Sequence, residues 1–147
     1  MNVPTVPSAL FQQIEASFLR QGLMQHLGAW LVRVEPGLCE VALPYSQQVS
    51  QQQGGFHGGA IGALADIAGG YAALTQLALD TEVTTVEYKI NFLAGFKGGE
   101  LRAVGRVTRA GKRIIVTTAD VVHRGDDGKE NACALMQQTI VPVLKTY

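Results

Sequence analysis

The chain has 147 residues, 12 basic and 12 acidic side chains, and two cysteines. That length suits one domain over residues 1–147, able to bury about two thirds of its unfolded surface without a disulfide or a metal. A net charge of zero excludes a broad electrostatic footprint for nucleic acid and favours association with other copies.

No basic stretch followed by an apolar one opens the chain, so no export signal is visible and a cytoplasmic location is expected. Pro4 and Pro7 keep the first residues extended, and Ser8 is the predicted N-cap of a helix running to about residue 21 and ended by Gly22. Leu10, Phe11, Ile14, Phe18 and Leu19 recur at three- and four-residue spacing, which makes one face apolar and the helix a packing element. Residues 27–34 and 38–45 read as strands, with Glu35-Pro36-Gly37 as the hairpin turn between them. Cys39 in the second strand and Cys133 near the C-terminus lack C-x-x-C spacing, so both are read as buried thiols outside any metal or catalytic site. Residues 46–53, five of them glutamine, form a hydrophilic loop leading into a glycine-rich segment.

Residues 60–79 are almost wholly apolar, and their one charge is Asp66. Twenty such residues are about what a helix needs to cross a bilayer, but three features argue against a membrane. Asp66 falls near the middle, where an acid costs roughly 2.5 to 3.5 kcal/mol. Ala and Gly supply much of the rest, and no Lys or Arg lies between Arg33 and Lys89. The expectation is a core helix whose carboxylate is paired or at work. Beyond it, residues 81–92 place Val86, Tyr88, Ile90 and Phe92 on one strand face and Thr85, Glu87, Lys89 and Asn91 on the other. Residues 100–109, 112–123 and 130–143 read as further strands, joined by Ala110-Gly111 and by a turn at 125–128. The second half is thus a predicted meander, long enough to twist around the one long helix, and the element order gives an α+β class.

The stretch HGGAIGALAD, with His57-Gly58-Gly59 opening the helix and Asp66 two turns on, resembles the signature of hotdog-fold acyl-CoA thioesterases, specifically the PaaI-like branch. The resemblance continues through TTVEYKINFLAGFKGGE, and its element order covers roughly residues 27–143. It implies a curved antiparallel sheet wrapped around one central helix. The implied reaction is hydrolysis of an acyl-CoA thioester to acid and thiol, with coenzyme A as part of the substrate and neither cofactor nor metal.

The chemistry also follows from the residues. Free N–H groups at a glycine-flanked helix start stabilise negative charge, which a thioester carbonyl develops under attack. The Gly59 N–H is the candidate oxyanion donor, beside Gly58, and Asp66 is the candidate general base or nucleophile. Seven positions separate the two, about 10 Å along the axis, too far for one carbonyl to meet both. Two helices packed antiparallel about a twofold axis would bring Gly59 of one beside Asp66 of the other. The resemblance implies that homodimer, with the strand at Thr85 pairing to its mate, and a dimer of dimers beyond it. Gly58, Gly62, Ala65 and Gly69 suit close packing, against either the second helix or the chain's own sheet.

Thr85 stands where PaaI-like relatives tend to carry a Ser that helps hold the attacking water, and its hydroxyl can make the same hydrogen bond. Gln51 stands where they often have an Asn, with an arm one methylene longer. His57 is expected to orient the loop or assist substrate binding rather than to move a proton. Lys97, Arg109, Lys112 and Arg113 are the candidates to meet coenzyme A phosphates. Two other readings compete: a hydratase or dehydratase of acyl chains, which needs an acid and a histidine together, and a non-catalytic acyl-ligand binder, which needs a pocket without Asp66. No DNA-binding segment accompanies the domain.

Overall fold

The computed structural model describes residues 6–147, so the expectation for Pro4 lies outside the described residues. In chain order the elements are α1 (Ala9–Phe18), α2 (Gly22–Leu27), β1 (Trp30–Glu35), β2 (Leu38–Pro44), α3 (Gly58–Leu74), β3 (Thr81–Phe92), β4 (Glu100–Ala110), β5 (Ile115–Arg124) and β6 (Glu130–Leu144). The six strands form one antiparallel sheet in the order β1-β2-β4-β5-β6-β3. One face of it packs on α3, through a cluster that includes Val41, Leu43, Leu64, Ala68, Leu101 and Val121. This is the α+β architecture that the element order implies.

The N-terminal helix differs from its prediction. Ser8 does cap α1, its Oγ accepting the Phe11 N–H at 3.1 Å, but α1 ends at Phe18. Gly22 opens α2 instead of closing α1. Gly28, at φ 77°, then stops α2 in the left-handed conformation that favours glycine. Leu27 is therefore helical, and β1 begins only at Trp30.

The meander is also corrected. β4, β5 and β6 are consecutive neighbours, but β3 pairs with β6 at a sheet edge, and residues 93–99 carry the chain across to place β4 beside β2. Alternation in sequence fixes which side chains face the helix, not which strand lies next door. Within β3, the pairing skips Val86: Thr85 opposes Ile140 and Glu87 opposes Thr139. This bulge inverts the alternation. Upstream of it Val83 and Thr85 face α3, and downstream Tyr88, Ile90 and Phe92 do, while Val86 is 60% exposed.

α3 is shorter than the apolar run. Thr75 ends it, its hydroxyl donating back to the Ala72 carbonyl at 2.6 Å while accepting the Gly37 N–H at 2.8 Å. No helix among the described residues is long and apolar enough to cross a membrane. Nor is α3 covered on every side. Gly59, Ala63, Asp66 and Ile67 escape full burial, and their spacing places them on one stripe.

The glycines bring α3 close to its own sheet. A Cβ on Gly62 would sit 3.1 Å from the Tyr88 hydroxyl, and one on Gly58 3.3 Å from the Phe92 ring. The closest approach of backbone to backbone is at Gly105 of β4, where a Cβ would collide with the Ala68 carbonyl. Backbone cannot rotate away as a side chain can. Gly105→Val should therefore cost about 3 kcal/mol or more, above the ordinary overpacking penalty, read as a fall in the urea midpoint relative to a surface control such as Lys129→Ala.

Candidate active site

Asp66 projects from the uncovered stripe of α3 and is half-buried rather than enclosed. Its Oδ1 accepts from the Thr85 hydroxyl at 2.7 Å and from the side-chain amide of Gln138. The same amide nitrogen lies 3.1 Å from Thr85 Oγ1 and 3.3 Å from the Asp66 main-chain carbonyl, and Gln138 Oε1 accepts from the Thr117 hydroxyl at 2.8 Å. The β3 bulge is what turns Thr85 toward this group while leaving Tyr88 against Gly62. Thr85 and Asp66, both candidates from the sequence, are thus brought together within one chain, with the Thr85 hydroxyl on the carboxylate itself.

At the other end of the stripe, His57 is the N-cap of α3, and its Nδ1 accepts the Gly59 N–H at 2.8 Å. This agrees with a loop-fixing histidine. It also means that the candidate oxyanion donor is already engaged, and a substrate oxygen must displace the imidazole nitrogen to use it. The loop before the helix is held at several points: His57 N–H donates to Val49 O at 2.8 Å, Phe56 N–H to Phe96 O at 2.9 Å, and the Tyr45 hydroxyl to Gly54 O. Beneath it the buried His123 ring stacks on Phe96 at 4.3 Å and meets Gly98 O through Nε2 at 2.9 Å. Gln51 belongs to this loop, with Oε1 taken by the Gln53 N–H. Its contacts are within the loop and not with Asp66 of the same chain.

Two clefts open on the stripe. One, of about 180 Å³, includes Leu23, Leu27, Val49, His57, Gly59 and Ala63. The other, of about 520 Å³, is lined at one end by Asp66, Ile67 and Thr85 and beyond them by Ser17, Arg20, Gln21, Tyr71, Glu82 and Tyr147. Its far wall is polar. Ser17 Oγ lies 3.0 Å from the Tyr71 hydroxyl and 3.1 Å from that of Tyr147, Gln21 donates to Tyr71 at 3.0 Å, and Tyr147 donates to Glu82 at 2.6 Å. Burial pushes the Tyr71 phenol above its ordinary pKa, so it remains protonated at neutral pH.

The four basic candidates are not brought together in one chain. Lys97 folds over Gly54 beside the helix start, whereas Arg109 lies near the end of β4 and Lys112 and Arg113 beyond it. An eleven-residue strand separates the two groups by roughly 35 Å. None of the four makes a salt bridge among the described residues, unlike Arg33, Arg102 and Arg124, which share Glu40, Glu100 and Glu130 across the outer face of the sheet. Cys39 and Cys133 are buried free thiols. Burial raises both, Cys39 to about 12, which leaves neither with useful thiolate.

Gln138 and Thr117 escaped the sequence reading, yet a signal was present. Inward positions of β5 and β6 run Ile115, Thr117, Ala119, Val121, His123 and Ala134, Met136, Gln138, Ile140. The polar members, Thr117, His123 and Gln138, are the three buried polar side chains of the described residues. A polar residue in an inward register has to be satisfied by something in the core.

The family described as the thioesterase superfamily matches residues 53–129, more than half of the chain. A Saccharolobus solfataricus protein carrying an esterase name is 34% identical over 113 residues, spanning 77% of this chain and 79% of that one. A 1,4-dihydroxy-2-naphthoyl-CoA hydrolase of Listeria monocytogenes is 32% identical over 91 residues, 62% of this chain and 74% of that one. The crystal structure of a thioesterase family protein from Silicibacter pomeroyi superposes with a TM-score of 0.89 at 34% identity, covering 93% of this chain and 100% of the other. With its six-stranded antiparallel sheet packed on one long helix and its His57-Gly58-Gly59 helix start, the chain belongs to the thioesterase superfamily and is a hotdog-fold hydrolase of thioesters.

Proposed function

We propose that the protein hydrolyses acyl-CoA thioesters at sites shared by two chains, with Asp66 of one facing Gly59 of the other. The observation that carries this reading is the uncovered stripe of α3. A helix this apolar leaves Gly59, Ala63, Asp66 and Ile67 only partly covered by its own chain, and a second copy is the cover that supplies both halves of the chemistry. β3 supports the same assembly: it is a sheet edge of twelve residues with Val86 exposed at the bulge and Phe92 exposed at its far end, and an open edge of that length is a template for pairing. Antiparallel apposition about a twofold axis sets the Gly59 cleft of one chain against the Asp66 cleft of its twin.

In the proposed cycle the thioester oxygen replaces His57 Nδ1 as acceptor of the Gly59 N–H, and the helix N-terminus stabilises the charge that develops there. Asp66 takes a proton from water as the water oxygen bonds to the carbonyl carbon. Thr85 keeps Asp66 Oδ1 in place. The carbon–sulfur bond then breaks, the thiolate is protonated, and free acid and thiol leave. No cofactor enters this scheme. Lys97 of one chain and Arg109, Lys112 and Arg113 of the twin are the candidate phosphate contacts, since the antiparallel arrangement reverses the end-to-end separation they have within one chain. The coenzyme A assignment draws on the Listeria hydrolase, whose name specifies a CoA thioester, and on the PaaI-like spacing of His57, Gly59 and Asp66.

A panel of aryl- and alkyl-CoA thioesters, with release of free thiol followed by a chromogenic disulfide, tests the activity. Turnover of at least one class well above the uncatalysed rate is expected. Tight binding of the same compounds without thiol release would instead indicate an acyl-ligand binder.

A further inference from the structure

The geometry points to Gln138, held by Thr117, as a positioning residue that fixes Asp66 through Oδ1 and leaves Oδ2 as the oxygen that reacts. The inference rests on the hydrolase reading above and deepens it.

The orientation of the Gln138 amide is determined by its neighbours. Asp66 Oδ1 and the Asp66 main-chain carbonyl can only accept, so the end of the amide facing them is the nitrogen. The opposite end, Oε1, then needs a donor, and the Thr117 hydroxyl supplies it at 2.8 Å. Gln138 and Thr117 are both buried, so no water competes for these positions, and reversal of the amide would set oxygen against oxygen at Asp66. Space for the arrangement comes from Gly69, one turn beyond Asp66, where a Cβ would overlap Gln138 Oε1 and lie 2.7 Å from Thr117 Oγ1. The chain therefore devotes a threonine, a glutamine and a glycine from three elements to one face of one carboxylate.

The two carboxylate oxygens are consequently unlike. Oδ1 receives Thr85 and Gln138. Oδ2 has no hydrogen-bond partner among the described residues, and it is not among the buried unsatisfied atoms, of which His123 Nδ1 is the one example. It thus opens on the cleft that Asp66 lines. An oxygen already holding two donors is a poor proton acceptor, and the free one remains available. The other charged or titratable groups lining that cleft are Arg20 from the turn after α1, Tyr71 from α3, Glu82 from β3 and Tyr147. Glu82 is engaged by Tyr147, and Arg20 lies over the Tyr147 ring.

The test uses the full chain and whichever CoA thioester it turns over best. Gln138→Met keeps the volume and removes the donors, and kcat should fall about 10- to 100-fold, the worth of a hydrogen bond to a charged group, with KM within about threefold. Gln138→Glu is the discriminating variant. Protonated, its carboxyl still donates to Oδ1. Its rate should therefore persist on the acid side and fall as pH rises, an alkaline limb expected to be absent from the parent. Thr117→Val, which leaves Gln138 in place but unfixed, should lie between Gln138→Met and the parent, and it serves if Gln138→Met fails to fold. An active parent, an inactive Asp66→Asn and unchanged kcat and pH profiles in the Gln138 and Thr117 variants would overturn this inference alone. A parent inert toward every thioester would overturn the hydrolase reading and this one with it.

Discussion

Asp66→Asn should reduce thiol release from acyl-CoA by about 10²- to 10⁴-fold while leaving fold and assembly intact. The size follows from what the substitution removes. An amide cannot accept a proton from water at neutral pH, and general base catalysis alone is worth about 10²- to 10⁴-fold. Asparagine is nearly isosteric, so the Thr85 hydroxyl and the Gln138 amide keep an oxygen to meet at Oδ1. Circular dichroism and sedimentation of the variant should match the parent. That separation matters, because Asp66→Ala would leave Gln138 Nε2 without its main side-chain acceptor and mix a structural loss into the kinetic one. Turnover near the parent's rate in folded Asp66→Asn would remove the carboxylate from the mechanism.

Recovery of activity on mixing two inactive chains is the second large effect. A side chain at Gly59 would crowd His57 Nδ1, 3.0 Å from where its Cβ would stand, and block approach to the Gly59 N–H. Gly59→Val and Asp66→Asn homodimers should each be nearly inert, since every site in them lacks one partner. Unfolded and refolded together in equal amounts, half of the dimers pair one chain of each kind, and each such dimer carries one site intact in both parts. About a quarter of parental activity should return, because a closed twofold makes two equivalent sites per dimer. If mixing returns nothing while the mixed species forms, the donor and the carboxylate act from the same chain. The roughly 10 Å between them along α3 would then need another explanation.

Both expectations rest on residues visible before any coordinates. His57, Gly59, Asp66 and Thr85 are close in sequence or one element apart, and helix periodicity alone sets Gly59 and Asp66 on a common stripe. The Gln138 contact had no such local warrant. It joins residues 72 positions apart, and it exists because β3 and β6 are neighbours at a sheet edge, an adjacency that the meander reading did not contain. Thr85 illustrates the same limit at shorter range. Strict alternation set it on the opposite face from Tyr88, and one unpaired residue, Val86, returns both to the helix side.

The amino-acid sequence determined the inventory: one apolar helix opened by glycines and holding a single acid, six strands at nearly their observed bounds, and no charge pattern for nucleic acid. Side-chain periodicity and turn chemistry act over a few residues, so these features can be read without a fold. Tertiary structure alone decided strand adjacency, the bulge at Val86, and the pinning of one Asp66 oxygen by Gln138. Each of these depends on register between distant segments, where a shift of one residue turns every side chain to the other face.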